Sequence, residues 1–381
     1  MDFLSAPTQS YRPYLSLSLP FLVKATVVFI GGIVAAYHHI PLLLLLPFGL
    51  GIHIYIGTKN PHLLKTCIML SCFFIAGFGR MFLCLAYQTS LFPLYHVSLE
   101  AAVESITPVD GNPWRYQTLL SVKKIFHDGA WKVRPCTIQL YSTKKPHCLV
   151  ADLIHCSVEK VPAPEGDFKL YLFKEGIDAT AFQPMVQIKI LHRPSTSFKR
   201  WASKKRDALY RQFSQKLSPS TFALFSSLFL GNRTTIKQQL EPQKPQFKTW
   251  GISHFLARSG VHLLIFILLL SALLSLVPLP FSIKHLILFF CALLYAALSW
   301  PSISFNRALY TFVFCKIATL RSIPLHSMHT LALVCLLLLV ISPLQIFFLD
   351  FQLTFLLTFC LMWIAQLRHQ RKLTFSQRLA K

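Results

Sequence analysis

Acidic side chains are scarce in this chain. Of 381 residues only 14 are Asp or Glu, against 38 Lys and Arg, and twelve of those 14 fall between Gln88 and Trp250. Charged residues of both signs make up 14% of the chain, while hydrophobic ones make up 54%. So apolar a composition excludes an ordinary soluble domain and directs attention to runs of about 20 apolar residues, the length that crosses a bilayer as a helix. Also missing are a CxxC pair, any Cys/His spacing suited to a metal, and a GxxxxGK[ST] phosphate loop. The first two absences leave no metal site to propose. The third means that ATP-driven work must come from a partner.

Ten cysteines are present, seven of them in apolar windows where a thiol behaves as a small hydrophobe. Cys136, Cys148 and Cys156 lie in the polar segment. An extracytoplasmic location would permit one disulfide there and leave one thiol over, without fixing which two pair.

Residues 1–90 contain the apolar windows Pro20–Ala36, Pro41–Gly57 and Leu63–Tyr87, which predict three membrane helices, the first two a tight hairpin. No small-residue cleavage site follows the first window, so the N-terminus is expected to be retained. Arg80, late in the third helix, is placed to snorkel to an interface. Residues 91–196 read differently. Short alternating stretches such as TLLSVKKIF, CTIQLYS and VQIKIL, set between Gly, Pro and Asp turn signals, predict a β domain of five or six strands. Its length suits a compact barrel of the OB type. Trp114, Tyr116, Trp131 and Tyr141 are aromatic positions that can stack bases, although core packing is the ordinary fate of such residues in a small sheet.

Residues 197–249 open with a basic amphipathic helix. Trp201, Leu209, Phe213 and Leu217 share one face, and Lys204, Lys205, Arg206 and Arg211 cluster elsewhere. Such a helix suits lipid headgroups or a nucleic-acid backbone. Residues 250–367 predict five more membrane helices, with breaks near Pro278 to Pro280, Trp300 to Pro301, Ile323 to Pro324 and Pro343. The expected fold is therefore a polytopic α-helical membrane protein of about eight transmembrane helices with an inserted small OB-like β domain.

The tail, 368–381, carries Arg368, Arg371, Lys372, Arg378 and Lys381, which the excess of cations on cytoplasmic loops assigns to the cytoplasm. An even helix count then puts the N-terminus, Lys59, Lys65, Lys284 and Arg321 on that side and Gln88–Trp250 outside. That segment holds 23 Lys and Arg against 12 Asp and Glu. A basic β domain is thus expected to face an incoming anionic polymer.

The segment FKTWGISHFLARSGVHLLIFILLL spaces His254, Arg258 and His262 four residues apart, on one side of a helix where its apolar stretch begins. Polar groups facing lipid are costly, so this stripe should point into the bundle or a wet cavity. GISHFLARSGVH resembles the core motif of the ComEC/Rec2 competence family, approximately GxxHLLAxSGLH, and LFSSLFLGNRTTI resembles that family's approach to it. PSISFNRAL resembles its short membrane motif with an Arg-Ala pair, and ISPLQIFFLDFQLTF its Pro-containing segment ending in a GFQLSF-like run. PAPEGDFKLYLFKEGIDAT is similar to the end of the family's small β domain, normally an OB-fold. The resemblance runs from about Val97 to Phe355.

The resemblance implies a channel in a bacterial cytoplasmic (inner) membrane that passes single-stranded DNA during natural transformation. It would need no cofactor and would work with membrane lipids, a separate DNA receptor, a cytoplasmic ATP-driven motor and further copies of itself. Carried over residue by residue, it marks His254, Arg258, Ser259, Gly260, His262, Arg307, Asp350 and Gln352 as candidates for the DNA path. Lys204, Lys205, Arg206 and Arg211 are candidates for the DNA backbone.

Arg258 departs from the family by standing where an apolar residue is usual, and Asp350 with Phe351 stands where Gly-Phe is expected. As the only acidic residue after Glu241, Asp350 is expected in a buried pair with Arg258 or Arg307. Longer members carry a C-terminal metallo-β-lactamase-like domain. This sequence has no HxHxDH cluster, so no catalytic residue, metal or enzymatic activity is expected. The competing readings are a membrane-anchored scaffold, a transporter of another solute, and an intramembrane enzyme using His254 and His262.

Overall fold

The computed structural model describes residues 21–40, 61–88, 92–109, 114–127, 129–194, 197–230, 246, 249, 260–299, 302–324 and 326–379. Helix α1 (Phe21–Tyr37) is rich in β-branched residues and glycine, which form helices poorly in water. In hydrocarbon an unpaired backbone group costs several kcal/mol, so such a segment is helical regardless. It packs along α2 (Pro61–Gln88) at unusually close range. A Cβ on Gly32 would fall 2.1 Å from the Phe74 carbonyl oxygen, and one on Gly77 would fall 2.2 Å from that of Phe29. Small residues therefore make this contact possible, as they commonly do between membrane helices. Phe21 meets Phe73 and, further along, Phe29 meets Gly77, so the two helices run in the same direction. The expected second helix, Pro41–Gly57, lies outside the described residues.

Six strands follow: β1 (Leu94–Pro108), β2 (Tyr116–His127), β3 (Ala130–Ser142), β4 (Leu153–Val161), β5 (Ala179–Phe182) and β6 (Ile188–His192), with α3 (Gly166–Lys174) between β4 and β5. They form one mixed sheet in the order β5-β3-β2-β1-β4-β6, antiparallel throughout except for the parallel pair β3/β5. Alternate residues turn inward on every long strand. Val97, Leu99, Ala101 and Val103 of β1 join Leu120 and Val122 of β2, Ile138 and Leu140 of β3, and Ile154 and Val158 of β4 in a single core. The sheet thus curls its inner face onto itself. Register shifts at Glu100/Ala101, Val103/Ser105 and Val122/Lys124 allow the bending.

Cys136, Cys148 and Cys156 belong to this core as free thiols, so the disulfide the sequence permitted is not formed. Burial pushes their pKa values up to about 12, 11 and 12, which keeps them protonated and inert. They act as small hydrophobes, like the membrane cysteines.

The basic helix α4 (Phe198–Lys216) and α5 (Pro219–Phe225) lead through a π-helical turn (Ser226–Leu230) toward the second helix block. That block comprises α6 (Gly260–Ser275), α7 (Phe281–Leu298), α8 (Ile303–Leu320), α9 (Ser327–Ile341) and α10 (Leu349–Leu379), with a 3-10 turn at Pro343–Phe347. Helices α6, α7 and α8 share the cluster Leu263, Ile267, Leu288, Ala292, Phe305 and Leu309. Helices α9 and α10 pack instead with α1 and α2 around Phe29, Ile33, Met81, Val334, Leu339 and Phe351. Among the described residues three spans are long and apolar enough to cross a membrane, Lys65–Ala86, Phe281–Leu298 and Leu349–Arg368, and α1, α6 and α9 are shorter apolar helices.

Two details add to the sequence reading. Arg80 does not simply snorkel; its guanidinium donates to the carbonyls of Val340 (2.7 Å) and Ile341 (2.9 Å) and so caps α9, whose last carbonyls have no partner within the helix. Helix α10 continues unbroken from its membrane span through the basic tail to Leu379.

Candidate functional site

The three motif segments of the second block meet. Gly260, at the start of α6, lies against the first turn of α8. Its N–H points at Ser304 Oγ (3.4 Å), and a Cβ there would fall 2.8 Å from that of Ala308 and 3.2 Å from the Ser304 carbonyl. Only glycine allows the two helices this approach. One residue before Ala308, Arg307 reaches the other way. Its guanidinium donates to the Thr354 carbonyl (2.9 Å) and to Thr358 Oγ1, both on α10. GISHFLARSGVH thus touches PSISFNRAL at Gly260, and PSISFNRAL touches the FQLTF run through Arg307.

His262, half-buried one turn into α6, faces the ring of Phe229 at 6.3 Å. The Phe229 carbonyl accepts a hydrogen bond from Tyr295 Oη of α7 at 3.0 Å. Phe229 ends a ladder of rings that descends from the basic helix: Tyr210 on Phe222 (4.8 Å), Phe213 on Phe225 (4.6 Å), and Phe225 on Phe229 (5.2 Å). Of the expected apolar face of α4, Leu209, Phe213 and Leu217 are half-buried, whereas Trp201 is exposed and stacks on Phe198.

Sequence reasoning did not single out the contact that holds α4. Asp152 is fully buried in the loop before β4. It accepts from Leu149 N–H (2.9 Å), Arg193 (3.3 Å) and Arg200. Arg200 also donates to the carbonyls of Val150 (3.1 Å) and Pro194 (2.7 Å), and Lys199 pairs with Glu104 at 3.1 Å. A buried carboxylate requires such partners, and an Asp inside the apolar stretch CLVADLIHC was the available signal.

With its first turn fixed, α4 presents Lys204, Lys205 and Arg211 to solvent. Arg206 is half-buried; burial lowers its pKa from the ordinary value, opposed by neighbouring Asp207. Burial raises that of Asp207, opposed by Arg206, Arg211 and Lys145.

The charge balance is also redistributed. Residues 94–192 hold eleven Lys and Arg against ten Asp and Glu, while residues 193–216 hold eight against one. The β domain is nearly neutral, and the cationic element is the helix beside it.

Asp350 is not in a buried pair with Arg307. At the start of α10 it accepts from Lys174 of α3 at 2.9 Å and is about half exposed. Lys174 Nζ also sits 4.6 Å over the Phe348 ring. The pair joins the β domain to the helix block, which an acid at a helix N-terminus favours further. Gln352 donates to the Ile346 carbonyl at 2.8 Å. His254, Arg258 and Ser259 lie outside the described residues. Gly260 therefore meets α8 at Ser304 and Ala308, His262 lies against Phe229, Arg307 is held by α10, Asp350 and Gln352 sit at the head of α10, and Lys204, Lys205, Arg206 and Arg211 lie on α4. Among the described residues no group of three or more His, Cys, Asp or Glu side chains could hold a metal ion.

A β domain standing on membrane helices, with polar motifs gathered among those helices, defines a membrane protein built around its second block. Residues 228–381 match the family model described as Competence protein. Over that stretch the chain is similar to the ComEC/Rec2 competence domain, which implies a role in DNA uptake for transformation. No curated protein and no solved structure matches this chain.

Proposed function

We propose that this protein is a channel component that passes single-stranded DNA through a bacterial cytoplasmic membrane. The observation that carries the reading is the convergence of the motifs: Gly260 on Ser304 and Ala308, and Arg307 on Thr354 and Thr358. Polar groups inside a membrane bundle are expensive and mark the path of a polar substrate.

The helix directions support eight spans with the β domain outside and both termini in the cytoplasm. Arg80, Ile341 and Asp350 mark one end of the block, where the β domain stands, and the basic end of α10 marks the other. The strand pairing suits an OB-type barrel, with β1 between β2 and β4 and with β3 parallel to β5. On this reading Lys204, Lys205 and Arg211 neutralise phosphates, and the exposed Phe229 ring leads the strand toward His262. The protein performs no catalysis. A separate receptor delivers DNA, a cytoplasmic ATP-driven partner pulls it, and lipids and further copies of the chain complete the channel.

A second reading, a membrane-anchored scaffold, draws on one observation. Arg307 already has its hydrogen bonds within the bundle, as a purely structural arginine would. The deciding experiment measures labelled DNA reaching the cytoplasm of cells that lack the protein. Rescue is compared among wild type and His254→Ala, Arg258→Ala, His262→Ala and Arg307→Ala variants at matched membrane levels. DNA held outside in the deletion strain and released only by wild type supports the channel. Unchanged uptake in the deletion strain removes the transport reading and leaves the scaffold.

A further inference from the structure

The end of α7 and α8 that the proposed topology puts in the cytoplasm gathers cations with no acid to meet them. His285 is the fifth residue of α7 and Lys316 the fifth from the end of α8, so on these antiparallel neighbours both side chains start about 6 Å inside the helix ends. The two are close enough for the Lys316 ammonium to act electrostatically on the His285 ring. Lys284 directly precedes His285, and Arg321 is the capping residue of α8. After Glu241 the sequence has one acidic residue, Asp350, and it is bound to Lys174 at the opposite end of the block. Lys316 Nζ rests 5.5 Å over the Phe312 ring, and His285 Nδ1 is enclosed without a hydrogen-bond partner. Like charges gathered one turn inside a membrane surface repel one another and call for an anion that the helices themselves do not supply.

Beside these cations the two helices are apolar and uncovered. Leu286 and Phe290, one turn apart on α7, are 48% and 60% exposed, and Ile317 on α8 is 47% exposed. The helices pack on each other through Leu288, Ala292, Phe305 and Leu309 instead, which leaves the first three side chains to hydrocarbon. Cations at headgroup level above an open apolar surface match a molecule with a negative head and long apolar tails. A zwitterionic headgroup fits less well, because it brings an ammonium of its own to a cationic place.

We propose that this end of α7 and α8 is a binding site for an anionic phospholipid, with the phosphodiester on Lys284, His285, Lys316 and Arg321 and the acyl chains along Leu286, Phe290 and Ile317. The proposal rests on the topology given above and names the lipid class among the partners; it does not depend on what the helices transport. The lipid bridges α7 and α8 at the end opposite the contact of Gly260 with Ser304, so the α6–α8 group is held at both of its ends.

The test uses the full chain in nanodiscs of phosphatidylcholine holding a small fraction of phosphatidylglycerol. A photoactivatable phosphatidylglycerol is expected to cross-link within Phe281–Phe290 and Phe312–Arg321, a readout taken on the wild-type protein. Each cation near a charged membrane surface contributes about a fivefold gain in affinity, so electron spin resonance of spin-labelled lipids should show a preference for phosphatidylglycerol of about tenfold or more. Lys284→Gln, Lys316→Gln and Arg321→Gln together are expected to remove that preference, and Lys316→Arg to keep it. Replacing Lys24 and Lys65 with Gln, exposed cations at the same membrane face on α1 and α2, is expected to leave it within about twofold. Soluble glycerophosphoglycerol, which lacks acyl chains, should not displace the lipid. No preference in the wild type, equal loss from the Lys24 and Lys65 variant, cross-links mapping elsewhere, or displacement by the soluble headgroup each overturn the proposal. Absence of the preference in a protein that DNA uptake still requires overturns this site and leaves the channel reading intact. An intact preference in a protein whose deletion leaves uptake unchanged does the reverse.

Discussion

In the β domain Val97, Leu99, Ala101 and Val103 all turn inward and are at most 1% exposed, whereas along α6 only Leu263 and Ile267 are buried, and Leu264, Leu268 and Leu269 are more than half exposed. The β domain must cover its own apolar surface, because water surrounds it. The helices leave theirs for hydrocarbon to cover. The same contrast governs charge. On the β side cations find carboxylates: Arg200 and Arg193 find Asp152, and Lys199 finds Glu104. Among the helices, where Asp350 is the lone acid after Glu241, Arg80 and Arg307 find carbonyls and a hydroxyl instead. A protein nearly without acids in its membrane part satisfies guanidinium groups with backbone oxygen.

That contrast can be broken at four places. Arg200→Ala removes the less exposed of the two arginine partners of a buried carboxylate and is expected to cost about 3 kcal/mol, loosening α4 from the β domain. Limited proteolysis between Arg193 and Lys216 reads the loosening, and wild-type resistance in the variant would contradict it. Gly77→Ala pushes a methyl group toward the Phe29 carbonyl and is expected to cost about 1–3 kcal/mol, seen as a lower melting temperature of the purified protein in detergent. Arg80→Lys keeps the charge at the end of α9 but loses the two-carbonyl fork. A loss of about 0.5–1.5 kcal/mol by the same measurement is expected.

The smallest effect is a pH dependence. Burial raises the pKa of Asp178 above its ordinary value, although Thr137 N–H donates to it at 2.7 Å. Because the folded value lies above the unfolded one, the ionised carboxylate costs stability. That cost is absent below about pH 3.8 and complete once the pH exceeds the folded value. Asp178→Asn keeps an acceptor for Thr137 and removes the charge, so it should raise the melting temperature slightly at pH 7 and leave it unchanged near pH 3.5. A variant equally stabilised at both values would sever the effect from ionisation.

What the sequence revealed followed from local spacing. Prolines fixed the breaks between the helices of the second block, alternation found the strands, and the motif segments that resembled one family proved to touch through Gly260 and Arg307. What stayed hidden depended on placement. Asp350 and its partner Lys174 are 176 residues apart and lie in different parts of the molecule, so no periodicity could join them. Arg200 looked like seven other cations in its stretch until the loop before β4 set Asp152 beneath it. Trp131 read as core but is 46% exposed, because alternation gives the face of a strand, not whether that face is covered. The basic charge of the polar segment was visible as a sum, but only the domain limits showed that it belongs to α4.

Helix α10 has 31 residues, and at about 1.5 Å per residue it extends about 46 Å. A bilayer's hydrocarbon core is about 30 Å thick, so roughly a third of the rod stands clear of it. One end is tied by Asp350 to Lys174 under the β domain, and the other carries the basic tail. Tilting the domain against the membrane would therefore swing the far end of a stiff lever.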